Sequence, residues 1–262
     1  MIKNEVKLFG KIVSIPEFRS ETVDGDELHQ CLVEVPMKSI RSGMIKEIGK
    51  SYITLIYEID KNSDNKIQDS MWLSLKSGEF VEITGQLVQD RIGRLGTSSV
   101  FVRSLRLLTE LEESQGNAVV TITGEIYKKN PVVTQFPNKA EKLTFLLSQT
   151  NGDSSMRTYV TSWNNLAHKI QEFDLKPGDS VEVLGSIVSR NYHNRTTDQD
   201  VTICELLARR VNVISRAEET SEEVDKNGKE EDFTSDEEKK IDIPMTVLVN
   251  QYSASASEIF AG

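Results

Sequence analysis

Three aromatic residues, Tyr159, Trp163 and Tyr192, are interleaved with Lys128, Lys129, Arg157, Arg190, Arg195, Arg209 and Arg210. Exposed rings stack on flat partners and Lys or Arg heads pair with anionic oxygens. Together they suit a polyanion that carries planar rings. Tyr192 lies in Arg190-Asn191-Tyr192-His193-Asn194, a run too polar for a core. Tyr159 and Trp163 each have two readings, a core ring or a stacking platform. Arg209 and Arg210 are adjacent, so on a strand they face opposite ways and only one reaches a bound ligand. His168 reads as a surface residue.

The first half of the chain is poorer in such groups. It offers Phe18, Tyr52, Tyr57 and Phe101 with Arg19, and a set of arginines, Arg91, Arg94, Arg103 and Arg106, around its last hairpin. That hairpin is the expected contact surface of this half. Other chemistries find less support. Cys31 and Cys204 stand in alternating apolar contexts with no CxxC spacing or histidine cluster, so buried thiols are expected, with no metal and no cofactor.

The elements that carry these residues are written twice. Val6-Lys7-Leu8-Phe9-Gly10-Lys11-Ile12 is echoed by Val120-Thr121-Ile122-Thr123-Gly124-Glu125-Ile126, and the run from Gly78 to Val88 by the run from Gly178 to Val188. The order is kept, which reads as a duplicated domain. Alternating apolar residues predict five strands per copy. They run over about 6–12, 28–37, 51–58, 79–89 and 98–108 in the first copy, with a polar turn insertion at 61–69. In the second they run over about 118–129, 142–148, 156–163, 180–192 and 200–214.

Between the third and fourth strands of the second copy, Leu166, Ile170 and Phe173 recur at helical spacing, with Asn164 or Asn165 available as a cap. A helix at that place in a five-stranded Greek-key barrel is the layout of the OB-fold. Gly10, Gly85, Gly124 and Gly185 sit inside strands, where a bulge or sharp coil lets a small barrel close. The fold class expected is therefore mainly β, two tandem OB-folds followed by a disordered acidic tail.

The formal charge of −10 is unevenly spread. Residues 217–242 hold twelve acidic residues against four lysines, whereas residues 118–216 are slightly basic. A near-neutral body with an acidic tail is compatible with a polyanion partner. No apolar leader follows Met1 and no window approaches a membrane span, so a cytoplasmic location is the default expectation.

The second copy resembles a known family. The run Thr158-Tyr159-Val160-Thr161-Ser162-Trp163-Asn164-Asn165-Leu166-Ala167, then Gly178-Asp179 opening Val181-Glu182-Val183-Leu184-Gly185, then Arg190-Asn191-Tyr192, is similar to the bacterial single-stranded DNA-binding proteins. Val201 to Val211, with Glu205 and Ala208, is similar to that family's last strand. The first copy shares the strand pattern and lacks the Trp and Leu-Ala signature. The resemblance implies largely sequence-independent binding of single-stranded DNA in replication, repair or recombination. Bases would stack on aromatic rings and phosphates would be tracked by Lys and Arg. It also implies a homo-oligomer, and replication or repair proteins docked through an acidic tail. Asp242-Ile243-Pro244-Met245 is similar to that tail's ending, with Met at the Phe place and the chain continuing beyond.

The last stretch has a second resemblance. The apolar strand leading into Ser253-Ala254-Ser255-Ala256-Ser257-Glu258-Ile259 is similar to the nucleophile segment of the tail-specific, C-terminal processing serine peptidases (S41-type), which implies Ser255 as nucleophile. That family's general-base Lys lies downstream of the motif, beyond Gly262, and a serine hydroxyl without a base is a poor nucleophile. No enzyme activity is expected on this basis.

The expected organisation is a first OB-fold over 1–110, a linker over 111–117, a second OB-fold over 118–216, an acidic tail over 217–242 and a peptidase-like fragment over 243–262. The expected nucleic-acid contacts are Tyr159, Trp163, Arg190, Tyr192, Arg195, Lys128, Lys129, Arg157 and Arg209, with Arg91 and Arg94 from the first copy. Two alternatives stand beside this reading: an OB-fold interaction and assembly module of the replication machinery, and a truncated peptidase fusion.

Overall fold

Alternating burial drives the chain into β-structure from its first residues. In β1 (Asn4–Ile12) Val6, Leu8, Gly10 and Ile12 turn inward while Glu5, Lys7 and Lys11 face water. The computed structural model describes residues 2–41, 44–62, 65–92, 95–151, 154–194 and 199–217. The acidic tail from residue 218 and the segment 243–262, including Ser255, lie outside them.

After β1 come a short β2 (Glu17–Glu21), β3 (Glu27–Arg41), β4 (Met44–Ile59), helix α1 (Lys66–Leu73), β5 (Phe80–Ile92) and β6 (Leu95–Leu108). Strand β1 pairs antiparallel with β3 and β5, β3 with β4, and β5 with β6. A parallel contact, Leu55 opposite Val100 between β4 and β6, closes the barrel. The same scheme recurs in β7 (Ala118–Ile126), β8 (Val132–Gln135), β9 (Glu141–Asn151), β10 (Ser154–Trp163), α2 (Asn164–Gln171), β11 (Ser180–Asn194) and β12 (Gln199–Ser215). There β10 and β12 supply the parallel closure, Val160 opposite Leu206. The chain is mainly β and forms two tandem OB-folds, as expected.

The in-strand glycines act as expected at the bulges. Register shifts occur at Gly85 in β5 and Gly185 in β11. A Cβ on Gly85 would sit 2.2 Å from the carbonyl oxygen of Phe101, and one on Gly185 2.5 Å from that of Leu207. Only glycine admits the neighbouring strand this closely.

Three local expectations are corrected. The turn insertion of the first copy contains helix α1, whose Trp72 is fully buried and stacks on Tyr57 with ring centroids 5.1 Å apart. Its opening turn, Lys66 to Ser70, carries a single apolar residue, Ile67, so the helical period becomes clear only at Met71, Trp72 and Leu75. The edge strands β2 and β8 were also missed. In α2 neither asparagine caps the helix: Trp163 holds the capping position without a side-chain bond, and Asn164 Oδ1 accepts from Glu141 N–H at 3.1 Å.

The two barrels join through their first strands. The run from Asn4 to Lys7 pairs antiparallel with the run from Val119 to Ile122, and Val6 lies opposite Val120. These two valines are equivalent positions of the repeat, so the joint has local two-fold symmetry. Side chains reinforce it. Asn4, anchored to Leu87 of its own barrel (2.8 and 2.9 Å), donates across the joint to Gln149 Oε1 (3.2 Å), and Gln149 Nε2 donates back to Lys3 O (2.6 Å) and to Thr123 O of its own barrel (2.9 Å). A second contact seats the β5–β6 hairpin beside β12, where Cys204 N–H donates to Thr97 Oγ1 at 2.8 Å.

Candidate nucleic-acid interface

Strand β10 sorts its side chains by the two-residue period except at Thr161, which is buried on the otherwise exposed face. Thr158, Val160 and Ser162 are buried, whereas Arg157, Tyr159 and Trp163 are exposed on the opposite face, Tyr159 at 58% and Trp163 at 41%. Neither ring is core. The register of β9 places Ser148, Leu146, Thr144 and Lys142 opposite Arg157, Tyr159, Thr161 and Trp163. Directly opposed residues of an antiparallel pair share a face. Lys142 Nζ accordingly sits 5.7 Å from the Trp163 ring centroid. Phe136, in the turn after β8, stacks on the same indole at 5.5 Å and 30°.

Strands β11 and β12 extend the face. Arg190 and Tyr192 are two residues apart and lie opposite Ile203 and Val201. Arg190 is exposed and Tyr192 half-buried. Glu205, on the same side of β12, accepts from Arg190 Nε at 2.8 Å and has Lys142 Nζ 3.8 Å from its other oxygen. At the far end Arg157 lies over the Tyr127 ring at 4.2 Å, and Lys128 Nζ over the same ring at 5.2 Å. Lys129 is exposed beside them. The outer face of the second barrel thus presents exposed rings among cations, and most of the expected residues fall on it.

Others fall elsewhere. Arg209 is the residue skipped at the β11–β12 bulge, since Gly185 faces Ala208 and Leu184 faces Arg210. It lines a different depression, with Lys38 and Ile48 of the first copy and Asn117 of the linker. Arg210 lies close enough to Glu182 to help hold that carboxyl below its usual range, after the bonds from Lys3 and Asn212. Arg91 lies on β5 opposite Gly96. Arg94 and Arg195 lie outside the described residues. Tyr127, Phe136, Lys142 and Glu205 were missed as site residues; only the β9–β10 and β11–β12 registers bring them in.

The Gly178-Asp179 step opens strand β11, as its place in the motif suggests. Gly178 turns with φ +89° and its N–H donates to Ile126 O at 2.9 Å. Asp179 is buried and accepts from the N–H groups of Lys176 and Ala217, both at 2.9 Å, and from Arg216 at 2.8 Å. Burial pushes its carboxyl up, but these donors together outweigh it and hold the group below the usual range. In the first barrel Gly78 donates to Ile12 O and Glu79 accepts from Lys76 N–H, both at 2.8 Å. The step is a device of the fold, used twice.

The parallel closures align the barrels residue by residue, with Leu55 equivalent to Val160. Thr54 then stands where the second barrel has Tyr159, and Glu58 where it has Trp163. Through Gly85 and Gly185, Asp90 takes the place of Arg190. Asp90 accepts two bonds from Arg19, at 2.7 and 2.8 Å. Of the arginines expected around this hairpin, Arg106 is bound to Glu82 and Arg103 to Gln86. The first barrel keeps the frame and carries neither ring at these two places.

Comparison with solved structures finds the same architecture. The chain aligns with the crystal structure of the wild-type single-stranded DNA-binding protein from Thermus aquaticus at 19% identity, over 82% of this chain and 95% of that one, with a TM-score of 0.61. A deletion mutant of that protein aligns at 18% identity over 84% and 98%, with a TM-score of 0.62. At this identity the likeness establishes the fold. The model of the family described as Peptidase family S41 matches residues 185–262. Within that match, residues 185–194 and 199–215 form strands β11 and β12 of the second barrel. No curated protein matches the sequence. Among the described residues no helix is long and apolar enough to cross a membrane.

Proposed function

We propose that the chain binds single-stranded DNA, largely without sequence preference, on the outer face of its second barrel. One observation carries this reading: Tyr159 and Trp163 are exposed on one face of β10, with Arg157, Lys142 and Arg190 around them. Exposed rings on an OB-fold stack bases, and neighbouring cations track phosphates, at about 1–3 kcal/mol per stacked base. The fold shared with the Thermus aquaticus single-stranded DNA-binding protein supports it. Tyr192, Lys128 and Lys129 extend the surface, and Arg195, Arg91 and Arg94 supply further phosphate contacts. The chain acts in replication, repair or recombination in the cytoplasm as a homo-oligomer, and its acidic tail docks protein partners.

Fluorescence anisotropy of labelled oligo-dT against a duplex of equal length tests this. Single-strand binding that weakens as salt rises is expected; no binding at low salt overturns it.

The match of residues 185–262 to the S41 peptidase model favours one other reading, a serine peptidase segment with Ser255 as nucleophile. A fluorophosphonate probe separates the two. No labelling is expected, and labelling lost in Ser255→Ala would establish the peptidase reading.

A further inference from the structure

Between the barrels lies a depression of about 250 Å³. The second barrel lines it with Tyr159, Lys142, Arg190 and Glu205, and the β5–β6 hairpin of the first barrel contributes Gln89 and Ser98. Its two cations share one counter-charge, Glu205. Glu205 holds Arg190 through one carboxylate oxygen at 2.8 Å and faces Lys142 Nζ with the other at 3.8 Å. Lys142 in turn sits over the Trp163 ring. A phosphate group that docks beside the Tyr159 ring meets these same cations, and Glu205 already occupies the place an anion would take. Arg190 is about half exposed, so the pair is open to exchange with solvent and ligand.

We infer that Glu205 is a built-in competitor of the nucleic-acid phosphate, and that one nucleotide of a bound strand enters this depression by displacing Arg190 and Lys142 from it. The inference rests on the single-strand reading above and adds an affinity-setting residue to it. In the free protein Glu205 holds both cations over the face that Tyr159 and Trp163 define. On binding, the phosphate takes over the charge-assisted bonds and Glu205 is left against a like charge. A carboxylate left beside a phosphate and partly screened by water weakens binding by about three- to ten-fold. The residue therefore keeps the protein readily released from its strand. The first barrel takes part because its hairpin forms one wall.

The test is an anisotropy titration of oligo-dT with the full chain and with Glu205→Gln, which keeps the shape and removes the charge. Glu172→Gln, an exposed site at the end of α2, controls for net charge. Glu205→Gln is expected to bind about three- to ten-fold tighter at low salt, the control less than about two-fold tighter. The gain should vanish in an Arg190→Gln/Lys142→Gln background, since the freed cations produce it. Unchanged or weaker binding by Glu205→Gln overturns the inference, as does a gain that persists in that background. If Glu205→Gln loses thermal stability, Glu205→Asp, which withdraws the carboxylate, must tighten binding in the same direction. Loss of strand binding by the unaltered chain would reject the functional reading itself.

Discussion

Lys142 lies directly across the β9–β10 ladder from Trp163, its ammonium 5.7 Å from the indole centroid, while Phe136 packs on the same ring. The indole is thereby held at a fixed angle without being buried, the condition for a stacking platform. The chain has two tryptophans, and the other, Trp72, is fully buried against Tyr57. Trp163→Ala and Tyr159→Ala should each weaken oligo-dT binding by about 1–3 kcal/mol while leaving the melting temperature nearly unchanged. Titration of each variant beside a thermal melt checks both.

Asp179 gives the fold a pH-dependent element. Its carboxyl titrates below the ordinary range in the folded chain, so its contribution to stability is complete above the ordinary carboxylate pKa, about 4, and is lost as pH falls through the depressed value. Asp179→Asn removes the charge that Arg216 and two backbone donors engage, at a cost of about 1–3 kcal/mol near neutral pH. Denaturant melts across pH should show a constant gap between the two proteins above about pH 5, narrowing as pH drops below about 4.

Both thiols are buried, and burial pushes each up to about 12. The thiolate is the reactive form, so neither should react with a disulfide reagent at neutral pH until the barrel opens. Cys204 sits at the contact between the barrels, with Sγ 3.2 Å from Tyr52 O. Its labelling rate under mild denaturant should therefore report separation of the barrels. Mass spectrometry after timed labelling resolves it from Cys31.

Gly85→Ala and Gly185→Ala force a methyl group against a neighbouring carbonyl. Each should destabilise its barrel by about 1–3 kcal/mol, read as a lower denaturant midpoint. Asn4→Ala removes two bonds to Leu87 within the first barrel and one to Gln149 of the second, and should cost a similar amount.

Much of this architecture was legible in the chain because β-structure writes itself in a two-residue period. The echo of Val6 to Ile12 in Val120 to Ile126 marks the strand that opens each barrel, and the glycines at 85 and 185 mark the bulges. Two kinds of feature were hidden. Helix α1 opens with one apolar residue, Ile67, among polar ones, so its period surfaces too late to read. Cross-strand neighbours need a register, so nothing in the order of residues sets Lys142 against Trp163 or Glu205 against Arg190. The register also explains the divergence between the copies. Thr54, Glu58 and Asp90 stand where the second barrel has Tyr159, Trp163 and Arg190.

Intrinsic tryptophan fluorescence during an oligo-dT titration tests the central claim most directly. Trp163 is the exposed indole of the described barrels, so bound strand should quench about half of the emission, and Trp163→Phe should abolish the quenching. The logarithm of the binding constant should fall linearly with that of salt, by about 0.7 per phosphate neutralised. Binding without quenching, or quenching that survives in Trp163→Phe, would contradict the account.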